Sequence, residues 1–181
     1  MEHALLINLK TKLQSLGALR PQAWELIVQL SQQRLLKINE NFIREPGTLA
    51  YLAEGILTEH NLQHRKKPAI INFIIANQCL ITRNHNQAHY LKACTAAHIY
   101  YWDLTNLKSL YQEFEELKKI YDHLCQEYDD GIALRSFIIE LPVKDRIIYF
   151  QNNHQAIIPF LTKKDIANYL HISYNHLIYN W

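Results

Sequence analysis

The apolar residues of this chain change rhythm three times. Over residues 2 to 32 they recur at helical spacing in two stretches, EHALLINLKTKLQSLG and PQAWELIVQLSQQ. Gly17 stands where the first helix would end and Pro21 where the second would begin. From about Arg34 to Trp102 the chain instead runs in short β-branched and aromatic segments, among them LAYLAEGILTEHN, PAIINFII, QCLITR and AHIYYWDL, separated by turn-like clusters. Strands this short, spaced about ten residues apart, predict a small all-β unit, with Gly47 and Gly55 at turns. A β-roll or jelly roll suits them, because sheet stacking or closure protects the edges.

Leu107, Leu110, Phe114, Leu117, Tyr121, Leu124 and Tyr128 then alternate steps of three and four, the spacing of a coiled-coil seam. The pattern predicts one helix from about Leu104 to Asp129, broken by Gly131. Lys108, Glu113, Glu115, Glu116, Lys118, Lys119 and Asp122 take its other faces, so the apolar stripe is narrow. Either the chain's own β unit or a second copy can cover such a stripe, and its length favours self-dimerisation. Beyond Gly131, IALRSFIIEL, PVKDRIIYFQNNH, KKDIANYL and SYNHLIYNW read as short helices. Pro142 opens the second, and Thr162 with Asp165 forms a T-x-x-D capping box at the third. HIS then supplies the three-residue turn of a helix-turn-helix. The expected fold is α+β: a β-roll or jelly roll with helical cover over residues 1–103, a dimerisation helix over 104–129, and a helical helix-turn-helix domain over 130–181.

Composition narrows the classes. A chain of 181 residues with 49% hydrophobic and 20% charged residues can bury a core and suits one medium domain or two small ones. No apolar run approaches the roughly 20 residues of a membrane span, and the opening residues are too polar for a secretion signal, so a cytoplasmic location is expected. Cys79, Cys94 and Cys125 are odd in number and far apart, which predicts buried thiols rather than a disulfide framework or metal knuckle. A formal net charge of +2 leaves nucleic acid open but exerts little long-range pull. His60 with His64, and His85 with His89, are four apart. That spacing joins two imidazoles only on a helix, and both pairs fall in strand or loop, so no metal is expected. No nucleophile–histidine arrangement is legible, and Asp129 and Asp130 read as a solvated helix exit. An enzyme is not expected. A metal-dependent jelly-roll enzyme is the alternative from that class, but its His-x-His followed by Glu is absent.

The order of helical cover, β-roll, seam helix and helix-turn-helix resembles the catabolite-activator and Fnr (Crp/Fnr) family of bacterial regulators, especially its shorter Bacteroidetes members. The resemblance spans nearly the whole chain. Its most specific stretch is DIANYLHISYNHL, in which Ile166, Ala167, Tyr169, Leu170, Ile172 and Leu177 match the family pattern I-A-x-Y-L-G-I, Ser or Thr, two variable residues and Leu. REPGTLAYLAEGIL is similar to the family's early β-roll segment, and LPVKDRIIYF to the helix feeding its DNA-binding unit. The resemblance implies a cyclic-nucleotide-binding-like β-roll, a homodimer joined along the seven seam residues, and DNA as partner. It places the DNA contacts at Lys163, Lys164, Ser173, Tyr174, Asn175, His176 and Tyr179. A β-roll ligand or partner would shift the seam helices and with them the spacing of two recognition helices.

Three departures qualify that picture. His171 stands where the family has glycine, and a left-handed backbone there carries a cost. After Leu177 the family's Ser-Arg and further Arg are replaced by Ile178, Tyr179, Asn180 and Trp181, so weak or conditional DNA affinity is expected. The stretch FIIANQCLITRNHNQAHYLKA corresponds to the phosphate-binding cassette but has no Gly-Glu and no Arg-Ser or Arg-Thr, and Arg83 lies too early to serve. No cyclic nucleotide and no cofactor is therefore expected, while another small effector is left open. Three scattered cysteines do not supply the four ligands of an iron–sulfur cluster. The rival reading is an interaction module that kept the architecture and lost DNA binding, with Tyr174, Tyr179 and Trp181 as its contact patch.

Overall fold

The computed structural model describes residues 2–63, 66–84, 86 and 88–181. His64 and His85, one member of each histidine pair, lie outside the described residues. Helices α1 (Glu2–Leu16) and α2 (Pro21–Gln29) form the expected cover. Leu6, Leu9 and Leu13 of α1, with Ala23 and Ile27 of α2, turn inward. Trp102 fastens this cover by donating its indole N–H to the Ile27 carbonyl at 2.8 Å.

Among the described residues eight strands follow: β1 (Gln32–Leu36), β2 (Asn41–Phe42), β3 (Leu49–Glu54), β4 (Ile56–Asn61), β5 (Ala69–Ile75), β6 (Gln78–Ile81), β7 (Tyr90–Ala93) and β8 (Ala97–Trp102). They stack as two four-stranded antiparallel sheets, in the orders β1-β8-β3-β6 and β2-β7-β4-β5. Consecutive strands β3 and β4 belong to different sheets, and Gly55 turns the corner between them at φ +98°. A Cβ at Gly55 would stand 2.5 Å from the Ala96 carbonyl oxygen, so only glycine fits there.

The predicted single seam helix is two helices, α3 (Leu104–Glu113) and α4 (Glu116–Glu140). Asp103 caps α3 by accepting from the Asn106 N–H. Backbone geometry leaves the helical region at Phe114 (φ −127°, ψ 87°), whose buried ring lies 4.9 Å from the Arg20 guanidinium. Gly131 does not end α4, which takes in IALRSFIIE as its last turns. A glycine inside a helix costs about 1 kcal/mol. Burial of Ile138 further on stabilises by about 2 kcal/mol or more, which outweighs it. The expected boundary between residues 129 and 130 thus falls inside α4.

The seam assignment is corrected as well. Leu107, Leu110, Phe114, Leu117, Leu124 and Tyr128 are buried within the single chain and Tyr121 is half-buried. They share one core with Leu9, Leu13, Ile27, Cys79 and Trp102. With the helix broken at Phe114, the three-four spacing reports packing on the chain's own sheet and cover helices. The residues α4 turns outward include Lys119, Asp122, Gln126, Asp130, Ala133 and Phe137.

The C-terminal unit comprises α5 (Val143–Asn153), a 3-10 turn at Ile158–Phe160, α6 (Lys163–Tyr169) and α7 (Tyr174–Asn180). Pro142 precedes α5 as its cap residue rather than opening it as the first helical one. Thr162 and Asp165 form the expected reciprocal box at α6. Ile138, Ile147, Phe150, Ile166, Ala167, Tyr169, Leu170 and Leu177 make a second core, which Ile56, Ile70 and Phe73 of the β-roll complete. The helix-turn-helix therefore sits against the roll. Among the described residues no helix is long and apolar enough to cross a membrane.

Candidate DNA-binding face and the interior of the roll

The turn between α6 and α7 is built without glycine. His171 takes the left-handed conformation at φ +54°. Its N–H bonds the Asn168 carbonyl at 3.1 Å, and the Ile172 N–H reaches back to Ala167 at 3.0 Å, which is the Schellman closure of a helix end. The carbonyls left over are taken by arginines. Arg135 of α4 donates from Nε to the Tyr169 oxygen at 3.0 Å, and Arg146 of α5 donates from Nη1 to the Leu170 oxygen at 3.1 Å. Both guanidiniums are thus committed inside the protein.

Ser173 caps α7 by accepting from the His176 N–H at 3.2 Å. Leu177 is the buried anchor of α7, while Tyr174, Asn175, His176, Ile178 and Tyr179 are exposed, Tyr179 to 89%. Of the two lysines expected to hold phosphate, Lys163 places its ammonium 2.9 Å from the Trp181 ring centroid, and burial lowers its pKa. Lys164 is exposed. It borders an open cleft of about 410 Å³ with Lys67, His171 and Tyr174. The structure therefore groups Lys164 and Tyr174, sets Lys163 on Trp181, and adds Lys67. The basic pair Lys66 and Lys67 just before a strand was the signal that sequence reasoning passed over.

A second constellation fills the roll. Arg44 from the β2–β3 loop and Glu59 of β4 form an ion pair of 2.5 Å, their side chains 1% and 0% exposed. Tyr128 of α4 donates to the same Glu59 oxygen at 2.6 Å, and His89 Nδ1 lies 3.1 Å from it. Arg44 also donates to the Thr82 hydroxyl at 3.1 Å and the Ile81 carbonyl at 2.8 Å, while Asn86 donates to Tyr128 at 3.2 Å. Burial on its own raises the Glu59 pKa, but His89, the charge of Arg44 and the Tyr128 hydroxyl together hold it below the usual range. Burial pushes the Tyr128 phenol well up, with the charge of Glu59 adding to it.

Thr82, Asn86 and His89 belong to the stretch that resembles the phosphate-binding cassette. The space they enclose with β4 and α4 is occupied by the chain's own side chains. The Arg44 fork is consumed there, and Arg83 instead meets both carboxylate oxygens of Asp129 at 2.9 Å. Asp129 is therefore a paired, solvent-exposed group in mid-helix rather than at a helix exit. Arg44 and Glu59 escaped sequence reasoning, since one stands in a loop and the other in a strand with polar neighbours, and no local pattern links them.

His60 stacks on Tyr90 at 4.6 Å with Nε2 2.9 Å from the Thr58 hydroxyl, and burial draws its pKa down to about 4. It is a half-buried neutral ring. Among the described residues no three ligating side chains converge. Burial pushes the Cys79 thiol up to about 12, and Cys94 and Cys125 are half-buried free thiols.

A two-sheet roll, a long helix along it and a C-terminal helix-turn-helix constitute the fold of the Crp/Fnr regulators, and this chain has that fold. A protein from Eubacterium rectale described as a Crp/Fnr-family transcriptional regulator superposes with a TM-score of 0.71 at 12% identity, over 90% of this chain and 82% of that one. FixK2 from Bradyrhizobium japonicum superposes with a TM-score of 0.70 at 10% identity, over 83% and 82%. The c-di-GMP-responsive global regulator CLP of Xanthomonas campestris gives 0.66 at 14% identity, over 89% of each chain. No protein-family model matches the chain, and no curated sequence is significantly similar to it.

Proposed function

We propose that this chain is a DNA-binding transcriptional regulator of the Crp/Fnr type, acting as a homodimer, with weak or conditional DNA affinity and no response to cyclic nucleotides. The observation that carries this reading is α7. It is capped at Ser173, anchored by Leu177 alone, and presents Tyr174, Asn175 and His176 outward at its start, where base edges are read.

The ionic cluster in the roll supports independence from cyclic nucleotides, since a phosphate entering there would have to displace Glu59 from Arg44. Helix α4 supplies a route for regulation by another effector or a partner. Its Tyr128 is part of the cluster, and about two turns further on its Arg135 holds the end of α6. Pairing of two copies along α4 would use the outward face with Asp122, Gln126, Asp130, Ala133 and Phe137.

Fluorescence anisotropy with duplex DNA, on protein whose oligomeric state is checked by light scattering, tests the reading. The expected result is dimer-dependent binding at about 50 mM salt that weakens toward 200 mM, with no calorimetric heat from cyclic AMP up to about 1 mM. Failure to bind any duplex at low salt overturns it. The exposed Ile178 and Tyr179 favour a second reading, a protein-interaction module, which that failure would promote.

A further inference from the structure

We infer that the phosphate clamp absent from α7 is supplied by the β-roll: Lys66 and Lys67 of the β4–β5 hairpin act with Lys164 of α6 to grip the DNA backbone beside the recognition helix. This inference rests on the DNA-binding reading of α7. Helix α7 has no lysine or arginine, Lys163 lies on Trp181, and Arg135 and Arg146 are committed to backbone carbonyls. Exposed lysines beside the start of α7 are Lys164 and Lys67, which line one cleft together with Tyr174 and His171. Neither lysine has an ion-pair partner among the described residues. The adjacent acid, Asp165, is turned onto Thr162, whose hydroxyl lies 2.6 Å from its carboxylate.

The hairpin is also held in place. Asn168 of α6 donates its amide N–H to the Pro68 carbonyl at 2.9 Å and accepts from the Ile70 N–H at 2.8 Å. Lys67 is the residue next to that pair of hydrogen bonds, so its backbone is fixed relative to α6 and α7 before any ligand arrives. A polyanion laid along the open cleft meets positive charge from both the hairpin and α6, whereas an isolated phosphate meets only exposed lysines. The occupant that fits is the sugar–phosphate backbone of the duplex whose groove α7 enters. On this view the helix-turn-helix binds DNA while docked on the roll, and the two units form one surface.

Three lysines per subunit give a dimer a log–log salt slope near −5, and removing the hairpin pair leaves about −2. The test is anisotropy across salt with wild type, Lys66→Ala/Lys67→Ala and Lys108→Ala, the last a single-lysine control on α3 outside the cleft. The hairpin variant should lose about tenfold or more in affinity at 100 mM salt and show the shallower slope, while Lys108→Ala matches wild type. A hairpin variant that binds with wild-type affinity and slope overturns the inference and leaves the DNA-binding reading standing. A wild type that binds no duplex overturns that reading and the inference with it. Lysine acylation of the wild-type protein, followed by mass spectrometry, gives a readout that needs no variant to fold. DNA should protect Lys66, Lys67 and Lys164 but not Lys108, and protection confined to Lys164 overturns the shared clamp.

Discussion

Replacing Glu59 by glutamine keeps the size of the side chain and removes its charge, which leaves the Arg44 cation 1% exposed and without a counter-ion. Removing one partner of a buried ion pair costs about 3–5 kcal/mol, because the remaining charge is stranded rather than because the pair itself is worth so much. Arg44 keeps its bonds to Thr82 and the Ile81 carbonyl, and the glutamine oxygen can still accept, so the lower end, about 3 kcal/mol, is expected. For a chain of this length that lowers the melting temperature by about 6–12 °C. Adding Arg44→Met to Glu59→Gln removes the stranded cation and should recover most of the loss, giving a coupling that neither single change shows.

Thermal melts followed by circular dichroism at neutral pH measure all four proteins. A Glu59→Gln melt within about 2 °C of wild type refutes the buried-pair argument. Because the folded pKa of Glu59 is held down, its contribution is present above the unfolded value of about 4.3 and is lost as pH falls through the folded one. The gap between wild type and Glu59→Gln should therefore close only in strong acid.

Leu117→Asp places a carboxylate in the chain's own core and should abolish the cooperative melt; a folded monomer from this variant would restore the seam as a subunit interface. His60 is neutral when folded down to about pH 4 but takes a proton near 6.5 when unfolded, so stability is full above 6.5 and falls between 6.5 and 4. Urea melts at pH 7.5, 6 and 5 should show that fall, and His60→Gln should flatten it. An unchanged pH slope in the variant assigns the fall to other groups, with His154, whose pKa burial also lowers, as the next to replace.

Local signals carried the reading of the sequence furthest. The β-branched runs of the roll, the corner at Gly55, the capping box at Thr162 and the I-A-x-Y-L stretch of α6 each depend on neighbours a few residues away. The strained turn at His171 was legible for the same reason. Seam spacing misled because periodicity shows that a face is buried without showing what buries it, and the break at Phe114 is set by packing beneath Arg20. Gly131 misled because burial further along α4 decides whether a helix outlasts its glycine. The Arg44–Glu59–Tyr128 cluster and the Asn168–Pro68 clamp were out of reach, since each joins side chains from strands, loops and helices far apart along the chain.

Strand β5 is the outermost of its sheet, and what lies beside it is an asparagine side chain whose amide imitates one peptide unit of the missing neighbour. An outer strand with an open row of peptide groups and apolar residues such as Ile70 and Phe73 is a template on which other chains pair. The ribosome makes α6 about a hundred residues after it makes β5. Throughout that interval the nascent roll carries an adhesive margin, and the later-made α6 seals it. A chain cut after Leu141 would keep the roll without its seal, and it should accumulate as edge-to-edge aggregate rather than as a smaller soluble domain.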